Sequence, residues 1–170
     1  MKLNLKHIAQ EPGAVLPFDF ELDLSRVEWN GQRPFAHNLH ITGRVRNMAG
    51  AMLLNAKLSC VLSLLCDRCA RSFEREKTVE YETLLAFELA NGESDDIVLL
   101  DGDGELDLDG LMEEVFLLEM DTKNLCSEDC KGLCSGCGAD LNRENCRCKK
   151  EIDPRLAKLA QLLEDRGDDK

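Results

Sequence analysis

Cysteines are the residues of this chain whose spacing points most directly to chemistry. Six of the nine lie in LCSEDCKGLCSGCGADLNRENCRCKK, residues 125–150, and two more lie in the tetrapeptide CDRC at 66–69. A Cys-x-x-Cys turn brings two sulfurs onto one side of the chain, and zinc in structural sites is held by a tetrahedron of such thiolates. Paired cysteines at this spacing therefore predict metal binding.

The cysteine pairs divide into two sets of four. Cys134 and Cys137 form one knuckle, followed by Gly138 where the chain must turn sharply. Its natural partner is the nearby CRC sequence, with Cys146 and Cys148, and together these thiols make a closed local site.

Two pairs of cysteines remain, and each pair supplies only two of the four ligands that a zinc ion needs. Cys66 and Cys69 sit at the junction of two strand-like runs, and Cys126 and Cys130 lie more than fifty residues downstream. We expect these four to share a second zinc ion that staples distant parts of the chain, so two zinc ions are expected in all, with one as the open alternative. Cys60 is left over on an apolar run and is predicted to be a core residue.

Two catalytic functions of the cysteines, redox exchange and zinc catalysis, are less favoured than structural metal binding. Thiol–disulfide exchange requires a knuckle that opens a helix, whereas CDRC leads into the strand-like RSFEREKTVEYE. A catalytic zinc would keep an open ligand position, and both sets of four are complete. No phosphate-binding loop or nucleophile motif is found, so neither a catalytic residue nor a small-molecule substrate is predicted.

Composition is consistent with a cytoplasmic protein. The chain has no run of eighteen apolar residues and no continuous apolar segment near its first residues, so neither a membrane span nor a signal peptide is predicted. A reducing compartment also argues against a disulfide framework, which an odd number of cysteines could not complete.

The net charge of −12 comes from one segment. Residues 88–120 hold twelve acidic and no basic side chains, whereas the regions on either side are nearly balanced. This pattern is typical of a solvated loop and helix face, and the alternative is a contact for a basic partner.

The elements that must position the thiols are mainly strands. Alternating runs begin with VLPFDFELDLS and NLHITGRVRNMAG, continue through MLLNAKLSCVLSLL, and end with FEREKTVEYETLL. Apolar residues at Leu108, Leu111, Met112, Val115 and Phe116 predict a helix over 108–119 packed against the sheet. DPRLAKLAQLLED predicts a C-terminal helix capped by Asp153.

These elements predict an α+β fold in two parts. An antiparallel β meander or partial barrel, with its acidic loop and packed helix, is expected over residues 1–122. A cysteine-rich zinc module and the C-terminal helix are expected over residues 123–170.

The combined motifs resemble the YceD family of bacterial and plastid proteins. The resemblance rests on CDRC in a β-rich first half, the acidic helix ELDLDGLMEEVFLLE, and LCSEDCKGLCSGCGADLN with its closing CRC. It implies a non-catalytic role in the accumulation of large-subunit (23S-type) ribosomal RNA and in ribosome assembly.

Two modes of action are compatible with that role. In the first, a basic face contacts ribosomal RNA or a pre-ribosomal particle, with salt-sensitive affinity. Its members would be Arg44, Arg46, Lys57, Arg68, Arg71, Arg75, Lys77, Arg143, Arg147, Lys149 and Lys150. In the second, the acidic segment 93–114 binds a basic ribosomal protein and keeps it soluble until assembly.

Overall fold

The structure, a computed structural model of the chain, describes residues 1–48, 51–87 and 97–148. The elements in this part of the chain are β1 (Lys2–Asn4), α1 (Lys6–Gln10), β2 (Val15–Leu22), β3 (Leu39–Met48), β4 (Ala51–Leu65), β5 (Ser72–Ala86), β6 (Ile97–Leu99), β7 (Glu105–Asp107) and α2 (Leu108–Leu118).

The main sheet has five strands in the order β2-β3-β4-β5-β6. Strands β2 to β5 are antiparallel neighbours in chain order, which confirms the antiparallel sheet predicted from the alternating runs. Strand β6 differs, because it pairs with the end of β5 in the parallel direction. A second, two-stranded sheet joins β1 and β7. Three-residue strands such as these are too short to show an alternating pattern in the sequence.

One face of the main sheet carries the core. Leu39, Ile41 and Val45 on β3 are fully buried, as are Leu54 and Leu58 on β4. The residues between them on each strand point to the opposite face, because successive side chains of a strand alternate. The alternation of apolar and polar residues in the β3 sequence therefore corresponds to the buried and exposed faces of this strand.

Helix α2 contributes to the same hydrophobic cluster. Its buried residues are Leu108, Met112, Val115 and Phe116, and the Phe116 ring lies 6.1 Å from that of Phe35, centroid to centroid. The predicted helical period thus corresponds to the buried side of α2. Asp107 occupies the N-cap position, but its side chain makes no capping hydrogen bond.

Some predictions fall outside the described residues. These are the first part of the acidic segment, residues 88–96, and the C-terminal helix predicted from DPRLAKLAQLLED. The boundary near residue 122 stays a prediction. No helix in the described part of the chain is long and apolar enough to cross a membrane.

Candidate metal centres

The first knuckle lies at the tip of the long β4–β5 hairpin. The last ladder pair joins Leu65 to Ser72, and the Cys66 N–H donates to the Arg71 carbonyl at 2.9 Å, which continues the pairing into the turn. The chain then turns through Ala70, whose φ of 54° is in the left-handed region. This turn directs the Cys66 and Cys69 sulfurs toward the same point.

The segment after α2 brings the second pair of cysteines to this tip. Asp121 forms ion pairs with Arg75 and Lys77 on the inner face of β5, at 3.5 and 3.3 Å. The Arg75 guanidinium also donates to the Leu125 carbonyl at 2.5 Å. Further along, the Asp67 carboxylate accepts from the Asn124 N–H at 2.6 Å. These contacts tie the segment to the hairpin just before Cys126.

The four sulfurs at the hairpin tip form a compact cluster. The Sγ atoms of Cys66, Cys69, Cys126 and Cys130 all lie within 4.8 Å of one another. Two of the separations are 3.8 Å, between Cys66 and Cys130, and 3.7 Å, between Cys69 and Cys126. Sulfurs at 2.3 Å from a tetrahedral zinc ion are about 3.8 Å apart, so the donor set and its spacing fit zinc.

The first cluster is buried and lies beside the guanidinium group of Arg71. Cys66, Cys69 and Cys130 are buried, with Phe73 and Leu125 packed against them. The Arg71 guanidinium donates to Cys126 Sγ at 3.3 Å, and the Cys126 and Cys69 thiols raise the pKa of Arg71. Four thiolates around a dication leave a net charge of −2, which a guanidinium at this distance partly offsets.

Backbone donors and burial act in opposite directions on these thiols. Burial raises the pKa of Cys66, but the backbone N–H groups of Cys126, Cys69 and Arg68 outweigh it and lower the pKa to about 6. The Arg71 N–H lowers the pKa of Cys69, whereas burial and the three other thiols of the cluster raise it to about 12. Ionisation of one thiol of the cluster therefore opposes ionisation of its neighbours unless a cation is bound.

The second cluster is more exposed than the first. Cys134, Cys137, Cys146 and Cys148 place their sulfurs within 4.8 Å of one another, and three of the four residues are exposed. The Sγ atoms of Cys134 and Cys146 are 3.1 Å apart, closer than in a regular zinc tetrahedron. The backbone N–H groups of Cys137 and Gly136, together with the Cys146 thiol, lower the pKa of Cys134 to about 6. These four residues can also hold a metal ion.

The two knuckles share one backbone design. In each, the N–H of the residue after the second cysteine donates to the first cysteine's carbonyl at 2.8 Å, from Ala70 to Cys66 and from Gly138 to Cys134. Both donor residues have left-handed φ, at 54° and 73°. Glycine adopts this conformation freely, whereas alanine does so at a cost. The sequence therefore marked the turn of the second knuckle with a glycine and gave no such signal for the turn of the first.

Contacts also connect the two clusters. The Asn142 side chain accepts from the Lys131 N–H at 2.8 Å and donates to Cys130 Sγ at 3.5 Å. The Leu133 N–H donates to the Arg68 carbonyl of the first knuckle at 2.9 Å. Sequence reasoning missed Asn142, because an asparagine between cysteine pairs carries no distinguishing pattern.

Comparison with known proteins agrees with the cysteine pattern. The family model of the large ribosomal RNA subunit accumulation protein YceD matches residues 54–163, a range that contains all eight clustered cysteines. The chain belongs to the YceD family. No solved structure matches it significantly.

Similar proteins occur in bacteria and in a plant. An uncharacterized protein of Mycobacterium leprae is 24% identical over 94% of this chain and 76% of its own length. One from Mycobacterium tuberculosis is 25% identical over 96% of this chain and 81% of its own. The chloroplastic large ribosomal RNA subunit accumulation protein YCED homolog 1 of Arabidopsis thaliana is 36% identical over 61 residues, 35% of this chain and 19% of that protein.

Among the described residues of this YceD-family chain, the basic side chains proposed for RNA contact do not form one face. Arg44, Arg46 and Lys57 are exposed on the outer face of the sheet, whereas Arg75 and Lys77 are on the inner side of β5, paired with Asp121. Among the other basic residues proposed for RNA contact, Arg71 donates to a cluster sulfur, Arg68 donates to the Cys130 carbonyl at 2.8 Å, and Arg143 pairs with Asp140 at 3.6 Å. Lys149 and Lys150 lie outside the described residues.

The outer face of the sheet also carries a row of acids. Glu74, Glu76, Glu80 and Glu82 are all exposed on this side of β5. Glu80 is directly opposite Lys57 in the β4–β5 register. The outer face therefore has mixed charge, and its glutamates would repel the phosphates that Lys and Arg attract.

Proposed function

We propose that this chain is a non-catalytic, zinc-binding factor that supports accumulation of large-subunit ribosomal RNA and ribosome assembly in the cytoplasm. Membership of the YceD family is the observation that carries the role. The clustering of eight cysteines into two four-thiol groups supports two structural zinc sites with the ligands Cys66, Cys69, Cys126 and Cys130 in one, and Cys134, Cys137, Cys146 and Cys148 in the other.

The donor sets favour a structural role for the metal. A catalytic zinc keeps a position open for water or substrate, whereas four thiolates complete the tetrahedron. In the first cluster, burial by Phe73 and Leu125 also limits access of a substrate to the sulfurs. The metal would then hold the β4–β5 hairpin against the segment that follows α2.

Depletion of the protein in its own host tests this role. The ratio of large-subunit to small-subunit ribosomal RNA should fall, and the wild-type gene should restore it. Cys69→Ser should fail to restore the ratio, whereas Cys60→Ala, at a core cysteine outside both clusters, should restore it. An unchanged ratio after depletion would refute the rRNA role, and full restoration by Cys69→Ser would refute the need for the first zinc site.

The distribution of charge favours a basic protein over RNA as the direct partner. Several of the candidate RNA-binding cations are engaged by Asp121, Asp140, carbonyl groups or a sulfur, and the exposed ones share their face with glutamates. Filter binding with large-subunit rRNA fragments at low and high salt distinguishes the two. A contact with a basic protein predicts no saturable RNA binding, and tight salt-dependent RNA binding would contradict it.

A further inference from the structure

An apolar groove runs along the side of α2 that faces away from the core. Leu117 and Leu118 of the helix line it together with Met120, and Trp29 forms its opposite wall. The volume is about 500 Å³. Leu118 is 78% exposed, the largest exposure among the large apolar side chains of the described residues. Leu118 and the other apolar residues of the groove form one continuous apolar surface, and surfaces of this kind mark sites where another molecule binds.

The wall opposite α2 is a tight and well-defined turn. Trp29 and Gln32 exchange two backbone hydrogen bonds, at 2.8 and 2.9 Å, around Asn30 and Gly31, which both have left-handed φ. An ion pair between Glu28 and Arg33, 2.9 Å long, closes the base of this turn. The tryptophan is thus held beside the helix without help from an occupant.

Trp29 also has an unused donor. Its indole Nε1 is buried and has no hydrogen-bond partner among the described residues. A buried donor without an acceptor loses its hydrogen bond to water and gains none in return, which is unfavourable. An occupant that supplied a carbonyl after a small shift of the ring would remove this cost.

The rim of the groove is acidic. Glu113 and Glu114 line it on α2, and the chain has no lysine or arginine anywhere from residue 88 to residue 120. An apolar floor with a carboxylate rim is complementary to a segment that carries large apolar side chains between lysines or arginines.

We propose that this groove binds an amphipathic basic segment of a partner protein, with an apolar side chain between Trp29 and Leu118 and cations against Glu113 and Glu114. The inference deepens the proposed contact with a basic protein and rests on it for the partner's class. It locates that contact on α2 and the Trp29 turn, a narrower site than the acidic segment as a whole.

Trp29 makes the binding directly measurable, because it is the only tryptophan of the chain. The zinc-loaded full chain is titrated with a helical peptide that has leucines on one face and lysines on the other. Trp29 emission should change saturably, and added salt should weaken the binding. The counterpart peptide with glutamate in place of each lysine should not bind.

Matched variants locate the peptide on the protein. Leu118→Ser and Glu114→Lys should each weaken binding at least about tenfold. The first substitution removes an apolar contact with the peptide, and the second replaces a carboxylate that attracts its lysines with a cation that repels them. Leu99→Ser changes a leucine that is 52% exposed on β6, and Glu76→Lys changes an exposed glutamate on the outer face. Both controls should leave the affinity unchanged.

Several results would overturn the proposal. These are no binding of the lysine peptide, equal binding of the glutamate peptide, or equal losses in the control variants. Displacement of the peptide by an rRNA fragment would assign the groove to RNA. A change in Trp29 emission on deletion of residues 149–170 would assign it to the chain's own end, and self-association abolished by Leu118→Ser would assign it to a second copy. None of these readouts measures rRNA accumulation, so the groove and the proposed function can fail separately.

Discussion

At the scale of single residues, two groups outside the set of candidate ligands contact the sulfurs of the first cluster. Arg71 contacts the Cys126 sulfur, and Asn142 contacts the Cys130 sulfur. Groups of this kind orient metal ligands and offset their charge, and their loss typically lowers metal affinity by about 10-fold to 100-fold. The two groups of four cysteines were predictable from the positions of the cysteine pairs in the sequence, but these supporting contacts were not, because they depend on how the hairpin tip meets a segment more than fifty residues away.

Arg71→Ala should therefore weaken metal binding without removing a ligand. We expect zinc to transfer from the variant to a colorimetric chelator at about a tenth or less of the chelator concentration that the wild type requires. Arg33→Ala is the control, since Arg33 is an exposed residue paired with Glu28 on the Trp29 turn. Equal zinc retention by Arg71→Ala and the wild type would show that the 3.3 Å contact does not support the site.

At the scale of elements, sequence patterns predicted the long strands and missed the short ones. Strands β4 and β5 have fifteen residues each, so their alternation is unambiguous, and α2 begins where the period changes to that of a helix. Strand β6 has three residues and no alternation, and its parallel pairing depends on how the chain returns from β5. The prediction of a purely antiparallel meander was incomplete for this reason.

The two clusters differ in the elements they connect, so their loss should have different consequences. The first joins the β4–β5 hairpin to the segment after α2, whereas the second closes a short stretch with few apolar side chains. Cys69→Ser should lower the free energy of unfolding of the whole domain by more than about 4 kcal/mol, the range that loss of a metal can reach. Denaturation monitored by circular dichroism gives this value.

Cys137→Ser should have a local effect. The main unfolding transition should stay close to that of the wild type, while residues 131–148 become sensitive to limited proteolysis. Equal destabilisation by the two variants, or a larger effect of Cys137→Ser, would contradict the division into one stapling site and one local site.

At the scale of the whole molecule, the distribution of charged side chains over the surface was predicted least well from the sequence. A list of lysines and arginines gave a candidate RNA-binding face, but Arg44 and Lys57 point to the outer side of the sheet and Arg75 and Lys77 to the inner side. Which side a residue takes depends on strand register, which is fixed by the pairing of all the strands together. The acidic segment was visible in the sequence, but the groove on α2 was not, since Trp29 reaches it from a distant turn.

The central claim is that one chain contains two complete four-thiolate zinc sites. Elemental analysis of the full chain, purified without chelator and under reducing conditions, tests it most directly. The account predicts two zinc ions per chain, falling to one in Cys137→Ser and remaining two in Cys60→Ala. One zinc ion in the wild type would remove one of the sites, and iron in place of zinc, or no metal with the cysteines in disulfides, would contradict the account as a whole.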